Sequence, residues 1–370
     1  MNVLFVARAI DRMAGGVERM VNAVMHALLA RGHRVSLLTW DNARALSFYP
    51  MAPEISWYRL NMGDPSIKAE TLLRLKRAKS IRQIIRHVQP EVIVCFQDGP
   101  FMAIRTYTMG MGIPVVAAVR NAPTRFEHTR PWTRQEFIYS AFRFAACVLI
   151  QCERYRHFYP AFLHKRIVTI PNPVFPVDGK ATPGSPNQDG RFRILSVGRL
   201  GYQKNYPILI QAFAALASDF PEWDLVIVGE GEDRTALEKL ASDCRLSERI
   251  SMPGISNAIA DYYKSSHLFC LPSRWEGFPN ALAEAMPHGL PAVGFSDCSG
   301  VMDLIEDGRN GFLATGNGQS VFLVDALAKL MTSPRKRQTM GSAAVDSMKH
   351  YVPENIFTMW ENTLAEAAIR

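Results

Sequence analysis

The stretch "CLPSRWEGFPNALAEAMPHGLPAV", Cys270 to Val293, shows in a short span the alternation that runs through the whole chain. A short apolar run is followed by a Gly/Pro loop, a helix-forming segment, a turn at Gly289 and another apolar run. Short apolar runs that alternate with helical patterns are typical of parallel α/β sheets. The stretch therefore predicts a strand, a loop, a helix, a turn and a second strand.

The same alternation occurs twice, in two sets of predicted strands. The first set is Asn2–Ala7, Arg34–Thr39, Glu91–Phe96, Pro114–Val119 and Cys147–Ile150, and the second is Phe192–Gly198, Asp224–Gly229, Arg249–Gly254, His267–Ser273 and Pro291–Phe295. Between them lies the Pro/Gly/Ser-rich stretch "IPNPVFPVDGKATPGSPNQDG", and a chain of 370 residues is long enough for two domains.

We therefore expect two parallel α/β domains with a linker between them. The predicted boundaries are residues 1–172 for the first domain, 173–190 for the linker, 191–352 for the second domain and 353–370 for a terminal helix. Open parallel sheets bind ligands beyond the carboxyl ends of their strands, so a cleft between two such domains is the expected ligand site.

Charge is distributed unevenly between the two halves. Residues 1–172 contain 24 Lys and Arg but 11 Asp and Glu, whereas the whole chain has a net charge of +8. The first half is therefore expected to meet an anionic partner, which could be nucleic acid, a bilayer surface or a pyrophosphate-bearing substrate. No apolar run is long enough to span a membrane, and "MNVLFVARAID" is too short for a signal peptide, so a cytoplasmic protein is expected.

Metal and cofactor signals are lacking in the sequence. The six cysteines are scattered without a C-x-x-C pair, and no His/Cys cluster has metal-ligand spacing, so we predict no bound metal. The dinucleotide fingerprint G-x-G-x-x-G is absent after the first predicted strand, which argues against a nicotinamide or flavin enzyme. We expect no cofactor.

Two segments combine a turn after a strand with groups that attract phosphate. Gly15 and Gly16 precede an amphipathic helix, where glycine admits close approach and a helix start attracts anions, although a simple helix-entry turn has the same pattern. Arg199 and Lys204 flank the turn after the sixth predicted strand and suit a diphosphate, although a solvated loop would also carry such residues.

Two glutamates bracket the start of the helix in "EGFPNALAEA". Glu276 lies in the loop and Glu284 inside the helix, while the amides of residues 280–285 are expected to be open to a phosphate. Carboxylates would repel phosphate, so we expect them to accept hydrogen bonds from hydroxyl groups. The pattern indicates a nucleoside diphosphate sugar, with its diol and its sugar hydroxyls at the two ends.

At this point the chain resembles the retaining glycosyltransferases of family GT4, which have the GT-B fold. The resemblance is carried by the Gly pair, Arg199-x4-Lys204, the Glu276-x7-Glu284 block after "LPS", and the segments "GVERMVNAVMHALLARGHRVSLLT" and "IPNPV". It covers nearly the whole chain and implies two Rossmann-like parallel α/β domains that face a central cleft. The first domain would bind the acceptor and the second would bind the nucleotide sugar.

The resemblance also implies roles for individual residues. Glu284 would hold the ribose, Arg199 and Lys204 would hold the diphosphate and act in catalysis, and Glu276 would contact the transferred sugar and act with them. Further residues would line the site of the nucleotide sugar: Gly15, Gly16, Gly254, Ile255, Gly277, Phe278, Pro279, Asn280 and Ala281. Many family members have a histidine near the sugar where this chain has Arg120 and Asn121, which we take as candidate sugar or acceptor contacts. The family needs no divalent metal, and no D-x-D motif occurs in this chain.

The basic residues of the first half form two groups. The helical pattern of residues 67–90 carries Lys68, Arg74, Lys76, Arg77, Lys79, Arg82 and Arg86, and a second group comprises Arg120, Arg125, Arg130, Arg134 and Arg143, interleaved with Phe126, Trp132 and Phe137. A solvated face would look similar, but a basic amphipathic helix also suits an anionic membrane surface. We expect peripheral binding at the cytoplasmic face of the cell membrane and a lipid-linked glycan acceptor.

Three rival functions remain at this stage. A sugar-nucleotide epimerase or an enzyme with a soluble acceptor would have the same fold. A nucleic-acid-binding protein could use the basic half, but no reading helix or aromatic platform is recognisable, so we expect no nucleic acid partner. A scaffold without catalysis is the third rival, against which the presence of Glu276, Glu284, Arg199 and Lys204 argues.

Overall fold

The computed structural model describes residues 1–67, 69–129, 133–316 and 318–369, without the side chains of residues 129, 133 and 134. Of the basic and aromatic residues singled out above, Lys68, Arg130, Trp132 and the side chain of Arg134 therefore lie outside the description. The contacts divide the chain into two compact units, Met1–Asn172 with Glu354–Arg370, and Pro173–Pro353.

The first unit is a seven-stranded parallel sheet with strand order β3-β2-β1-β4-β5-β6-β7. Its elements are β1 (Asn2–Val6), α1 (Gly16–Ala30), β2 (Arg34–Thr39), β3 (Ser56–Arg59), α2 (Thr71–Val88), β4 (Val92–Phe96), α3 (Asp98–Tyr107), β5 (Val115–Ala118), α4 (Arg125–Thr129), α5 (Thr133–Phe142), β6 (Val148–Ile150) and β7 (Ile167–Thr169). β1, β4 and β5 are buried along their whole length, as central strands of a parallel sheet are.

The second unit is a six-stranded parallel sheet with strand order β10-β9-β8-β11-β12-β13. Its elements are β8 (Phe192–Val197), α6 (Tyr206–Leu216), β9 (Trp223–Val228), α7 (Arg234–Asp243), β10 (Ile250–Gly254), α8 (Ile259–Lys264), β11 (Leu268–Leu271), α9 (Asn280–Ala285), β12 (Ala292–Phe295), α10 (Ser299–Met302), β13 (Gly311–Ala314), α11 (Ser320–Met331) and α12 (Pro334–Ser347). In both sheets the strand order reverses once, between β1 and β4 and between β8 and β11, and such switch points are where open α/β sheets bind ligands.

The last helix, α13 (Pro353–Ile369), packs on the first unit although it follows the second in the chain. Trp360 is fully buried, and its ring stacks on Phe96 with ring centroids 5.9 Å apart. At the surface, Arg31 contacts Glu354 at 2.8 Å and Glu361 at 3.3 Å. The helix thus completes the core of a sheet that lies more than 180 residues earlier in the chain.

Residues 173–190, expected as a linker, contain no helix or strand but pack on the second unit. Arg337 donates from Nε to the carbonyl of Pro183 at 2.6 Å, and the amide of Ala181 donates to the carbonyl of His288 at 2.8 Å. His267 contacts the carbonyl of Ser185 through Nε2 at 2.8 Å, and burial lowers the pKa of its imidazole to about 4. Composition predicted the irregular backbone, but only these contacts show that the segment is held against a surface.

Candidate functional site

Three loops meet at the carboxyl ends of β8, β9 and β11 in the second unit. The loops after β8 and β9 bond to each other, since the amide of Leu200 donates to the carbonyl of Glu230 at 2.9 Å. A Cβ at Gly229 would lie 1.9 Å from the carbonyl oxygen of Gly198, and one at Gly231 would lie 2.2 Å from that of Leu200. The Gly229-Glu230-Gly231 segment therefore has glycines because two backbones approach closely, which supports a structural role for it.

The centre of this region is a buried ion pair between Lys204 and Glu276. Lys204 Nζ donates to Glu276 Oε1 at 2.6 Å, and Ser273 Oγ donates to the same oxygen at 2.7 Å. The side chains are 16% and 8% exposed. Lys204 follows β8 and Glu276 follows β11, so the pair joins the two strands at the switch point of this sheet. The sequence predicted both residues but assigned them to different parts of the ligand, whereas the structure brings them into direct contact.

Arg199 occupies a different environment from Lys204. Its side chain is 77% exposed and contacts Glu232 at 3.0 Å. A nearby ion pair joins Arg234 to Glu230 at 2.6 Å and raises the pKa of Arg234 through hydrogen bonds to Glu230 and Glu238. Arg199 is thus a surface cation that a ligand could recruit, while Lys204 is already held in position.

Glu284 lies on α9 and contacts a residue that the sequence reasoning missed. The hydroxyl of Tyr263, on α8, donates to Glu284 Oε2 at 3.2 Å and lies 3.3 Å from the carbonyl of Ala281. Tyr263 is buried and stacks on His288 with ring centroids 5.2 Å apart. No spacing in the sequence connects Tyr263 to Glu284, because packing alone brings α8 against α9.

The expected row of open amides at the start of α9 needs correction. The helix has six residues, from Asn280 to Ala285, before a 3-10 turn begins at Met286. The amide of Asn280 donates to the carbonyl of Phe278 at 2.8 Å, so it already has an acceptor within the protein. The tight turn at Pro279 brings the carbonyl of Phe278 to the amide of Asn280, two residues later in the chain.

The other predicted contacts of the nucleotide sugar are dispersed around the loops of the second unit. Phe278 is buried with its ring 6.0 Å from that of Tyr351, so its side chain is a packing group. Gly254 ends β10 with φ +85°, and Ile255 beyond it is 80% exposed. An exposed apolar side chain at the carboxyl end of a strand is compatible with the predicted place of Ile255 in the lining of the nucleotide-sugar site.

In the first unit, Gly15 and Gly16 lie at the start of α1 as predicted. A Cβ at Gly15 would lie 2.2 Å from Glu18 Oε2, which shows that this carboxylate folds back over the helix start. Burial raises the pKa of Glu18. A phosphate at this position would have to displace the Glu18 carboxylate.

Arg120 and Asn121 occupy different environments at the end of β5. Arg120 is 5% exposed, donates from Nη1 to the carbonyl of Ile170 at 3.0 Å and lies 4.8 Å over the ring of Trp360. Burial lowers the pKa of Arg120 to about 9. Its guanidinium therefore packs in the core beneath α13, and the predicted sugar contact is better suited to Asn121, which is half-buried and donates to Gln97 Oε1 at 2.8 Å.

Metal-binding clusters and membrane-spanning helices are both absent from the residues that the structure describes. No group of three or more His, Cys, Asp or Glu side chains in the described part of the chain is arranged to hold a metal ion. Within the same residues, no helix combines the length and apolar character needed to cross a bilayer.

Two parallel α/β units, each with a switch point, match the GT-B fold that the sequence resemblance implied. Residues 15–173 match the family described as glycosyl transferase 4-like domain, and residues 180–346 match glycosyl transferases group 1. The chain therefore contains a glycosyl transferase 4-like domain followed by a glycosyl transferases group 1 domain, as the sequence resemblance predicted.

Similar proteins agree with this assignment. An uncharacterized glycosyltransferase of Haemophilus influenzae is 26% identical, over 95% of this chain and 96% of that protein. A Campylobacter jejuni α-1,4-N-acetyl-D-galactosaminyltransferase, named for a diNAcBac-PP-undecaprenol glycan, is 23% identical over 99% of both proteins. The structure of Anabaena HepE in complex with UDP and glucose has a TM-score of 0.77 at 18% identity and covers 99% of both chains.

Proposed function

We propose that this glycosyltransferase transfers a sugar from a UDP- or GDP-sugar to a glycan acceptor with retention of the anomeric configuration. The observation that carries the proposal is the buried Lys204–Glu276 pair, 2.6 Å apart, at the switch point of the second sheet. An ammonium group has three N–H donors, so a Lys204 that gives one to Glu276 can give others to a diphosphate. Anabaena HepE, which shares the fold, was solved with UDP and glucose.

The proposed chemistry uses charge and position more than a general base. The bond between the anomeric carbon and the diphosphate oxygen breaks, and the acceptor hydroxyl forms its bond on the same face of the sugar. The hydroxyl proton passes to the departing diphosphate. Lys204 and Arg199 stabilise the negative charge that grows on this leaving group, and no divalent metal is required. Glu276 holds Lys204 in place beside the sugar.

The assignment of Glu284 to the ribose gives the first test. Glu284→Ala should weaken binding of UDP or GDP by about 1.5–3 kcal/mol, because it removes an ionised acceptor for the ribose diol. Isothermal titration calorimetry with the nucleotide and its 2′,3′-dideoxy analogue measures this. The wild-type protein should discriminate between the two ligands, and the Glu284→Ala variant should not.

Tyr263→Phe is the matched control, since it removes the hydroxyl that donates to Glu284 and leaves the carboxylate. It should retain discrimination between the two nucleotides. If Glu284→Ala and Tyr263→Phe alter thermal stability alike and neither changes nucleotide affinity, Glu284 is a packing partner of Tyr263 and the ribose assignment is wrong.

We further propose that the acceptor is a lipid-linked glycan of a bacterial surface-glycan pathway, met at the cytoplasmic face of the membrane. The Campylobacter jejuni relative is named for an undecaprenol-linked glycan. The helix α2 presents Leu72 and Leu75, 66% and 64% exposed, among basic residues. Exposed apolar groups within a basic surface are suited to anionic headgroups.

The burial of the α2 side chains determines which basic residues can test membrane binding. Arg77 is 6% exposed and lies on the buried face of α2 with Ile81 and Ile85 because of their helical spacing. The exposed cations Lys76, Lys79 and Arg86 are better choices. Changing all three to Gln should sharply reduce co-sedimentation with vesicles containing anionic lipid, because each contributes about 1 kcal/mol near such a surface.

The control is a triple Gln variant of three lysines in the second unit, Lys239, Lys329 and Lys349, each paired with an aspartate. It should bind vesicles like the wild type, and high salt should release both, since screening acts beyond about 10 Å at 0.1 M salt. Equal loss in both triple variants, or equal binding to neutral vesicles, would show that α2 is not the membrane contact.

A further inference from the structure

A groove of about 830 Å³ lies within the first unit, between α2, α3, α5 and the segment before α2. Arg8, Trp40 and Asp98, which line it, lie within two residues of the ends of β1, β2 and β4. The groove therefore lies beyond the carboxyl ends of these strands, next to the switch point between β1 and β4. This is the position at which an open parallel sheet binds ligands, and the volume is within the range of small-molecule sites.

Four arginines give the groove a positive charge, and within the described part of the chain no carboxylate forms an ion pair with Arg74, Arg77 or Arg82. Their hydrogen bonds go to backbone carbonyls: Arg8 Nε to Pro65 at 2.5 Å, Arg74 Nε to Ala69 at 2.9 Å, Arg77 Nε to Met62 at 3.0 Å and Arg82 Nη1 to Tyr107 at 3.0 Å. Asp98 is the carboxylate among the described lining residues, and it already contacts Arg125 at 3.2 Å. Carbonyls orient guanidinium groups without cancelling their charge, and each group retains further N–H donors.

Most of the other lining residues are apolar, and three of them are large and exposed. Ile67, Leu75 and Phe137 are 65%, 64% and 66% exposed, and Pro100 and Met102 line the same groove. Large apolar side chains left in water beside charged groups are a mark of a binding surface. An inorganic anion would not need the apolar wall, and a neutral lipid would not need the arginines.

We propose that this groove binds the prenyl diphosphate part of the acceptor, with the diphosphate on Arg74 and Arg82 and the isoprenoid chain along Ile67, Leu75 and Phe137. Guanidinium groups match phosphate oxygens with paired N–H donors, and the apolar wall shields the chain from water. The inference rests on the lipid-linked acceptor proposed above and gives that acceptor a defined site.

Calorimetry with farnesyl diphosphate, a short prenyl diphosphate, tests the site without a membrane. Inorganic diphosphate and farnesol are the comparison ligands. The wild-type protein should bind farnesyl diphosphate more tightly than either of them. Arg74→Gln and Arg82→Gln should each weaken binding by about tenfold, since each removes charged hydrogen bonds. Arg44→Gln, an exposed arginine of the same unit outside the groove, should bind like the wild type.

A second variant fills the groove without changing its charge. Ala103→Phe should abolish binding of farnesyl diphosphate, and an unchanged melting temperature together with retained UDP binding would show that it folds. Inorganic diphosphate binding as tightly as farnesyl diphosphate would overturn the proposal, and so would equal loss in Arg44→Gln or undiminished binding by a folded Ala103→Phe.

Nucleotide binding and sugar transfer distinguish a wrong groove assignment from a wrong transfer reaction. If the groove is not the site but the function is right, UDP binding depends on Glu284 and sugar transfer is unaffected by Arg74→Gln. If the groove binds farnesyl diphosphate but no nucleotide sugar binds to the protein, the proposed transfer reaction is wrong while the ligand site remains.

Discussion

Replacing Lys204 by Met should lower kcat for sugar transfer by at least about a hundredfold, the loss seen when one preorganised charge-stabilising group is removed. The cause is that Lys204 is the buried cation next to the expected position of the leaving diphosphate, whose charge grows in the transition state. KM for the nucleotide sugar should rise less than kcat falls. Steady-state kinetics with the donor found by screening nucleotide sugars for thermal stabilisation measures both constants.

The same change should also destabilise the second unit, because Glu276 is left 8% exposed without its cation. Breaking a buried ion pair by removing one partner costs about 3–5 kcal/mol. The double variant Lys204→Met/Glu276→Met removes both charges and should recover much of this stability without recovering activity. Comparing chemical denaturation and kcat of the single and double variants separates the structural role of the pair from its catalytic role.

Two results would contradict this account of Lys204. If the double variant recovered activity together with stability, the pair would be a structural support only. If the wild-type rate disappeared with a chelator and returned with a divalent metal, a metal would supply the charge that we assign to Lys204 and Arg199. We expect the wild-type rate to be the same with and without a chelator.

Replacing Trp360 by Ala should lower the free energy of unfolding of the first unit by about 3–5 kcal/mol, as for other fully buried aromatic residues. The ring of Trp360 lies 5.9 Å from the ring of Phe96 and 4.8 Å from the guanidinium of Arg120. The substitution therefore leaves a cavity between them and uncovers a buried cation. Chemical denaturation followed by circular dichroism measures the loss.

Met359→Ala is the matched control, since Met359 precedes Trp360 on α13 but is 38% exposed. It should change stability far less than Trp360→Ala. Because α13 belongs to the first unit, binding of UDP to the second unit should survive Trp360→Ala at low temperature. Equal effects of the two substitutions would mean that α13 is only loosely attached to the sheet.

The buried strands were predictable because they carry continuous apolar runs between turn signals. All ten predicted strands exist, and their ends differ from the prediction by at most two residues. Arg34–Thr39 matches the prediction at both ends, and Phe192–Val197 ends one residue earlier than predicted. The strands β3, β7 and β13 were not predicted. They have three or four residues each and lie at sheet edges, where a strand is buried on fewer sides and its apolar pattern is weak.

The sequence by itself indicated the family and the two sheets, and it singled out Lys204, Glu276 and Glu284 as candidate site residues, because residue types at short spacing record local backbone geometry and local chemistry. Only the tertiary structure decided which of these side chains meet. It brings the Lys204 ammonium to the carboxylate of Glu276, 72 residues later in the chain, and the Tyr263 hydroxyl to the carboxylate of Glu284. It also buried Arg120 under a helix from the far end of the chain. Such contacts depend on how strands from distant segments are ordered in a sheet, and that order leaves no periodic trace in the sequence.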